Sequence, residues 1–358
     1  MSLYQGKRLS LSVFGQSHGE AIGVSADGFP AGMPVDVEAV KAFLRRRAPA
    51  RNAYSTTRRE PDEPIFVSGL YNGRTTGDAL CAIIGNHDAR SGDYDAMRSI
   101  PRPGHADFGA RMRWGGAADL RGGGAFSGRL TAPLCIAGAV ALQWLAARGI
   151  TVGAHLASVG DVRDEAFDPV SLTAEALSAP GRKAFPTISD EAGQNMLSLI
   201  ADARASRDSV GGVIEAGAVG LPAGWGGSLF DGVEAALARL IFSVPAVKGM
   251  EIGEGFGAAR LRGSENNDPF RYEEGVVRTE TNHHGGLLGG MTSGMPLLLR
   301  AAFKPTPSIS RPQRTVDLAA HTDTVIEIPG RHDACIVPRA VPVIEACVAL
   351  ALFDCAAD

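Results

Sequence analysis

Cysteine is sparse and unpaired in this chain. Only Cys81, Cys135, Cys335, Cys347 and Cys355 occur in 358 residues, with no CxxC spacing. An odd number of scattered thiols in a long chain argues against a disulfide framework and for a reduced, intracellular protein. There is no HExxH and no close Cys/His cluster, so zinc has no evident site and no metal is expected. A GxxxxGKS/T loop is missing, which argues against a P-loop nucleotidase, and GEGFG at 253–257 lacks the GxGxxG spacing. Basic charge is not in excess: 39 acids face 35 bases, for a net charge of −4. That balance argues against a general nucleic-acid binder. Long apolar runs are absent too. The longest, 131–147, is interrupted by Gln143, preceded by Arg129 and short of the about 20 residues of a membrane span, so it reads as a buried helix. The first residues, MSLYQGKRLSLSVFG, lack the apolar core of a signal peptide, and a cytoplasmic location is expected. No linker or short tandem repeat breaks the chain, so one catalytic domain over residues 1–358 is expected.

What is present is a core and an anion-binding pattern. Apolar residues make up 45% of the chain, enough to bury a substantial interior. The stretch 102–133 holds His105, five arginines (Arg102, Arg111, Arg113, Arg121, Arg129) and the triple glycine Gly122-Gly123-Gly124. A Gly-rich turn before a helix lets backbone N–H groups approach an anion, and guanidinium groups grip phosphate or carboxylate in two-pronged fashion. A solvated loop with surface arginines is the bland alternative for this stretch taken alone. A second basic cluster lies at 45–59. Local positive patches on a mildly acidic protein suit a small anionic ligand.

The periodicities predict interleaved strands and helices. Residues 9–14 and 22–26 read as strands, and Asp36 as the N-cap of a helix through Arg47. Residues 65–71, 80–85, 152–160, 210–220 and 296–303 read as further strands. Helices are expected at 131–147, 190–206, 229–242 (capped by Ser228) and 341–353. Segments 48–64 and 86–101 read as long loops, mobile until ligands bind. Strands and helices do not follow a strict βαβ rhythm, so the expected fold class is α+β, with antiparallel sheets around central buried helices.

Several motifs place titratable groups at turns. GQSHG presents His18 at a strand end, where a general acid or base could sit. RPGHAD repeats the theme with His105, and Asp107 is close enough in sequence to orient the ring. GRHDAC crowds Arg331, His332 and Asp333 before the last helix. TNHHGGLLGGMTSG offers bare backbone, and KPTPSISRP supplies a lysine with hydroxyls suited to a phosphate. For each motif singly, an ordinary structural loop or a hydrogen-bonded histidine is as good a reading.

Together, and in order along nearly the whole chain, these motifs resemble the chorismate synthase family. GQSHGEAIGVSADGFPAGMP, STTRREPDEP, TTGDALCAIIGNHDARSGDY, PRPGHADF, RGGG with SGR, PAVKGMEIGEGF, GGLLGGMTSG, KPTPSI and GRHDACIVPRAVPVIEA carry the likeness. The resemblance implies a β-α-β sandwich assembled as a homotetramer. It implies conversion of 5-enolpyruvylshikimate 3-phosphate to chorismate and phosphate by anti-1,4-elimination, with reduced FMN required though there is no net redox change. By resemblance, His18 would protonate the leaving phosphate, His105 would serve the anionic reduced flavin, and Asp333 would assist proton removal. Arg47 and Arg129 would bind substrate, with Arg331 as a further anion-binding candidate. FMN would lie against Ala125, Phe126, Ser127, Pro245, Ala246, Gly286, Lys304, Pro305, Thr306, Pro307, Ser308 and Arg331.

The chain departs from the resembled pattern at several points. Gln16 replaces the acid of GESHG. Ala125-Phe126-Ser127-Gly128-Arg129-Leu130-Thr131 stands where RSSARET is usual, losing an arginine and a serine. Ala53 replaces a frequent arginine, and Ala334 the proline after RHD. Two alternatives stay open at this level: a non-catalytic flavin- or anion-binding paralogue, and an FMN oxidoreductase acting on a phosphorylated metabolite. Some family members reduce their own flavin with NADPH. Lacking a nicotinamide dinucleotide fingerprint, this chain is expected to rely on an external flavin reductase.

Overall fold

The structure, a computed structural model, describes residues 2–49, 61–86, 99–328 and 332–357. Two five-stranded sheets enclose two apolar helices. The first sheet runs Ser2–Gln5, Ser10–Gly15, Ala21–Asp27, Leu80–Gly85, Ile65–Ser68, with every neighbouring pair antiparallel. The second runs Val247–Ile252, Leu297–Phe303, Gly212–Val219, Thr151–Val159, Val162–Arg163, again all antiparallel. Between them lie the helices Thr131–Ala146 and Val337–Cys355, packed on each other. The first of these touches Ala21–Asp27 and Leu80–Gly85, and the second touches Thr151–Val159 and Gly212–Val219. This is the α+β sandwich the sequence leads one to expect.

Local chemistry explains the layers. Both central helices are largely apolar on every side, as a helix covered on all sides must be, with the few charged residues of the second each paired. They cross where Gly138 meets Ala346, and a Cβ at 138 would overlap that alanine. The segment Gly128–Ala146 is apolar and long enough to cross a membrane, but 78% of it is buried inside the protein. Gln143, the one polar residue after its first turn, exchanges hydrogen bonds with the backbone of Asp36 (2.8 and 3.0 Å). Asp36 in turn caps the Val37–Arg47 helix by accepting from the N–H groups of Glu38 and Ala39. At the far end of the last helix, buried Asp354 accepts from Tyr4 Oη and from the backbone N–H groups of Arg8 and Leu9. All five thiols are free, and burial pushes those of Cys135 and Cys335 up to about 12.

Three boundaries differ from expectation. The predicted 229–242 helix is a 3-10 turn, Leu229–Asp231, followed by a helix Val233–Ser243, because Gly232 is extended (φ −73°, ψ 150°) and makes itself the cap in place of Ser228. The last helix begins at Val337, four residues early. Pro338 fits the first turn, where no N–H is needed, and Pro342 is accommodated one turn later. A short helix, Asp107–Trp114, also forms inside the stretch that reads as loop.

A polar cluster pins the long 164–190 connection to the second sheet. His155, fully buried, lies 3.0 Å from both Asp164 and Glu215. Asp164 also accepts from the N–H groups of Ile188 and Ser189, and Glu215 from that of Phe167. Burial would lower the imidazole's pKa, but the two carboxylates win and raise it. Asp164, despite burial, is lowered by His155 and the two N–H donors. A raised folded-state pKa stabilises fully below the unfolded value of about 6.5 and is lost as pH climbs through the folded one. Asp164's share runs the other way and is lost as pH falls below its unfolded value. His155→Ala is therefore expected to cost about 3 kcal/mol near pH 6, as breaking a buried pair does. The difference in melting temperature from the parent should shrink between pH 6 and 9. A difference independent of pH would mean that His155 is neutral in the fold.

Candidate active site

The triple glycine is the hinge of the site. Gly122, Gly123 and Gly124 have φ of 61°, 95° and 53°, a run that L side chains rarely adopt. It passes between two histidines. A Cβ at Gly122 would collide with His18 Nε2, and one at Gly123 would come within 3.2 Å of His105 Nε2. Gly124 O accepts from Ser17 N–H (3.2 Å), fixing the GQSHG turn to the glycine run. Asn86 holds the same turn from the other side. Its Nδ2 donates to Gln16 O and Gly19 O, and its Oδ1 accepts from Arg129 Nε.

His105 belongs to a tight ionic knot. Asp107 Oδ1 lies 2.6 Å from His105 Nδ1, and Asp107 also accepts from Arg102 Nε (2.6 Å), Nη2 (2.8 Å) and backbone N–H (3.1 Å). Burial works to raise the Asp107 pKa, but hydrogen bonds from Arg102 and His105 hold it well below the usual carboxylate range. The contact turns Nδ1 toward Asp107, with Arg102 Nη2 3.1 Å from the same nitrogen, and leaves Nε2 on the glycine side. The orientation of His105 by Asp107 is as expected from their spacing.

The Lys304–Ser308 segment docks on this knot. Lys304 Nζ donates to Gly104 O (2.6 Å), and Arg102 Nη1 donates to Ser308 Oγ (3.3 Å). Lys304 N–H donates to Ala246 O (3.0 Å), which brings the Pro245-Ala246 turn alongside, with Ala246 at φ 77°. Burial, and then the charge of Lys248, lower the Lys304 pKa. Thr306 Oγ1 is buried with no hydrogen-bond partner among the described residues.

On the other flank the arginines gather. Arg47, buried, donates from Nε to Thr131 Oγ1, from Nη1 to Asp62 (2.7 Å) and from Nη2 to Gly128 O. Arg129 Nη1 donates to the other oxygen of Asp62. Asp62 is 1% exposed and sits at φ 52°. Burial would raise its pKa, but Arg47 and Arg129 lower it, so it stays ionised between them. Asp333 pairs with Arg339 Nη1 (2.6 Å), and Arg339 Nε donates to Arg47 O. Arg46 forms a bidentate pair with buried Glu345, both bonds 2.7 Å.

The structure thus brings together His18, His105, Asp333, Arg47, Arg129, Ala125, Phe126, Ser127, Pro245, Ala246 and Lys304 to Ser308. Gly286 (φ 81°) stands apart, against Pro296 O at the start of the strand Leu297–Phe303, whereas Lys304 follows its end. At the usual strand rise the two are roughly 20 Å apart. Arg331 and Ala53 lie outside the described residues, as does most of the two long loops, 48–64 and 86–101. Sequence reasoning missed Asp62, Asn86 and Arg339. Only Asp62 left a trace, as one of two acids (with Glu63) between Pro61 and Pro64 in an arginine-rich segment.

Gly122→Ala and Gly124→Ala separate strain from collision. Both demand an unfavourable φ, worth about 1–2 kcal/mol. At 122 the new methyl meets the tip of His18, which can swing aside; at 124 it meets the Asp119 backbone carbonyl, which cannot. Thermal unfolding should find Gly124→Ala the less stable of the two, and His18 displaced only in Gly122→Ala. Equal melting temperatures would contradict this packing.

Comparison with known proteins agrees with the geometry. The family model described as chorismate synthase matches residues 9–357. The chain is 49% identical over 351 residues to the chorismate synthase of Thermococcus gammatolerans, covering 98% of this chain and 96% of that one. It is 44% identical over 356 residues to that of Dehalococcoides mccartyi, covering 99% and 97%. A solved structure titled "Crystal Structure of Chorismate Synthase" superposes with a TM-score of 0.77 at 26% identity, over 98% of this chain and 92% of that one. With antiparallel sheets around two buried helices and two histidines facing one glycine run, the chain belongs to the chorismate synthase family.

Proposed function

We propose that this chain is an active chorismate synthase, a lyase of the shikimate pathway that eliminates phosphate from 5-enolpyruvylshikimate 3-phosphate. The observation that carries this reading is the placement of His18 and His105 on either side of a side-chain-free backbone run, with arginines on one flank and a lysine–hydroxyl segment on the other. No observation favours the non-catalytic alternative. His18, His105 and Asp333 are all present, and Asp107 and Arg339 hold the last two in place.

The residues present fit reduced FMN. The buried, unpartnered hydroxyl of Thr306 and the Lys304 ammonium offer donors for a phosphate. Ala125, Phe126, Ser127, Pro245, Ala246, Lys304, Pro305, Thr306, Pro307 and Ser308 would hold it. Gly286 would join them only from outside the assembled set, and Arg331 lies outside the described residues. When bound, reduced FMN supplies the electron-rich partner that an unactivated allylic C–H bond requires.

The chain's own groups then have these tasks. Arg47 and Arg129, immobilised side by side on Asp62, bind the substrate's anionic groups without reorganising. His18 gives a proton to the departing phosphate, and Asp333 assists removal of the substrate proton. His105, with its Nδ1 turned toward Asp107, presents Nε2 to the cofactor. A homotetramer in the cytoplasm, supplied with reduced flavin by a separate reductase, completes the proposal.

Anaerobic incubation of 5-enolpyruvylshikimate 3-phosphate with chemically reduced FMN should release chorismate and phosphate in equal amounts. His105→Ala should retain its fold and lose about 10²–10⁴-fold in turnover, the usual contribution of a positioned acid or base. Parent protein that binds FMN and releases no phosphate would return the non-catalytic reading. Turnover of His105→Ala within a few-fold of the parent would remove His105 from the chemistry.

A further inference from the structure

The hairpin of Gln313–Asp317 and Thr322–Ile326 belongs to neither five-stranded sheet. Its first strand alternates strictly. Arg314 and Val316 are exposed, while Gln313, Thr315 and Asp317 are half-buried on the opposite face. The inner face of this strand is polar, so hydrogen bonds seat it. Gln313 Nε2 donates to Pro307 O (3.4 Å), and Thr315 Oγ1 donates to Pro101 O (2.6 Å). Just past the strand, Leu318 N–H donates to Ser99 O (3.0 Å). One strand thus holds two segments, one at 307 and one at 99–101.

Pro101 is joined directly to the ionic knot of His105. Arg102 follows it, grips Asp107, lies 3.1 Å from His105 Nδ1 and accepts from His105 N–H at its own carbonyl (3.3 Å). Prolines at 101 and 103 leave this stretch little backbone freedom, since a residue before proline is held to extended conformations. A displaced Pro101 carbonyl is therefore passed on to Arg102 and not absorbed. The knot also has little apolar seat of its own. In the helix Asp107–Trp114 only Asp107 and Ala110 are buried, and no side chain caps its N-terminus. The Lys304–Ser308 segment ties the knot from one side, through Gly104 O and Arg102. Thr315 ties it from outside the site.

We propose that Thr315 is a positioning residue for His105: by holding the Pro101 carbonyl, the hairpin keeps the Arg102–Asp107 knot, and the imidazole it orients, in register with the glycine run. The assignment rests on the role given to His105 above. It asks for no contact between Thr315 and substrate or cofactor. A hydroxyl that served only the hairpin's own stability would leave the imidazole where it is, and that difference can be measured.

Thr315→Val and Thr315→Ala test this in the full chain. The first keeps the shape and the strand propensity and removes the donor; the second removes it with no risk of a clash. Both should lower kcat about tenfold and leave KM for 5-enolpyruvylshikimate 3-phosphate within about twofold, because a misplaced group of about an ångström can cost up to about 10²-fold in rate. Thr315→Ser, which keeps the hydroxyl, should keep the parent's kcat. In ligand-free protein labelled at histidine, the imidazole NMR signal that disappears in His105→Ala should shift in Thr315→Val and Thr315→Ala and stay in place in Thr315→Ser. Parent-like kcat in Thr315→Val and Thr315→Ala, beside a His105→Ala that has lost turnover, would overturn this inference alone. So would a fall in kcat with the His105 signal unmoved, or an equal fall in all three variants. Lower melting temperatures with kcat and the His105 signal unchanged would assign Thr315 to the hairpin's own stability and overturn it too. Parent-like turnover of His105→Ala would remove the reading of His105, and this inference with it.

Discussion

The molecule depends on the contact between two apolar helices at Gly138 and Ala346. Sandwiching two helices between two sheets leaves no room for a side chain where they cross, and Gly138 supplies none. The consequence reaches the site. The N-terminal ends of both helices meet at Arg47, which donates to Thr131 and Gly128 at the start of one, while Arg339 in the first turn of the other donates to Arg47 O. Helix N-termini carry partial positive charge, so the crossing concentrates an anion-attracting field where the arginines also gather.

That field is restrained by acids. Each inward arginine has a carboxylate: Asp62 is shared by Arg47 and Arg129, Asp333 serves Arg339, Glu345 serves Arg46, and Asp107 serves Arg102. Among the described residues, four carboxylates pair with these five arginines, and the helix ends add positive charge. Pairing also fixes geometry. A guanidinium held by a buried carboxylate loses its side-chain freedom during folding and not during ligand binding. Asp62 achieves this in a left-handed conformation that is costly for a non-glycine residue, and such outliers concentrate where structure serves binding.

Much of this was legible in the residues, for identifiable reasons. Leu9 to Phe14 alternates, Asp36 precedes a helical pattern, and 131–147 is apolar but for Gln143 and its first residue Thr131, so the elements follow from sequence pattern alone. His105 with Asp107 could be read as an oriented pair because two residues across a turn are forced together. Asp62, Asn86 and Arg339 could not, because their partners lie 15 to 292 residues away and only the fold sets the meeting. The early start of the last helix was hidden by Pro338, which local propensity reads as a breaker and the first helical turn accommodates. Glu345, an acid inside the apolar last helix, is the counterion of an arginine on another element.

The glycine run ties these levels together. Three consecutive positive φ values carry a conformational cost that favourable packing must offset, and glycine is the residue for which that cost is smallest. The offset comes from the histidine turns: Ser17 binds Gly124 O, and the imidazoles of His18 and His105 occupy the space that side chains at 122 and 123 would need. The histidines are thus packed against the backbone itself, and neither can approach further. Backbone packing and the placement of the two imidazoles are the same contact, so a methyl group added to this run is felt as a displaced imidazole before it is felt as a lost fold. Gly124 is the exception, because its neighbour is a carbonyl and not a ring, and there the fold gives way first.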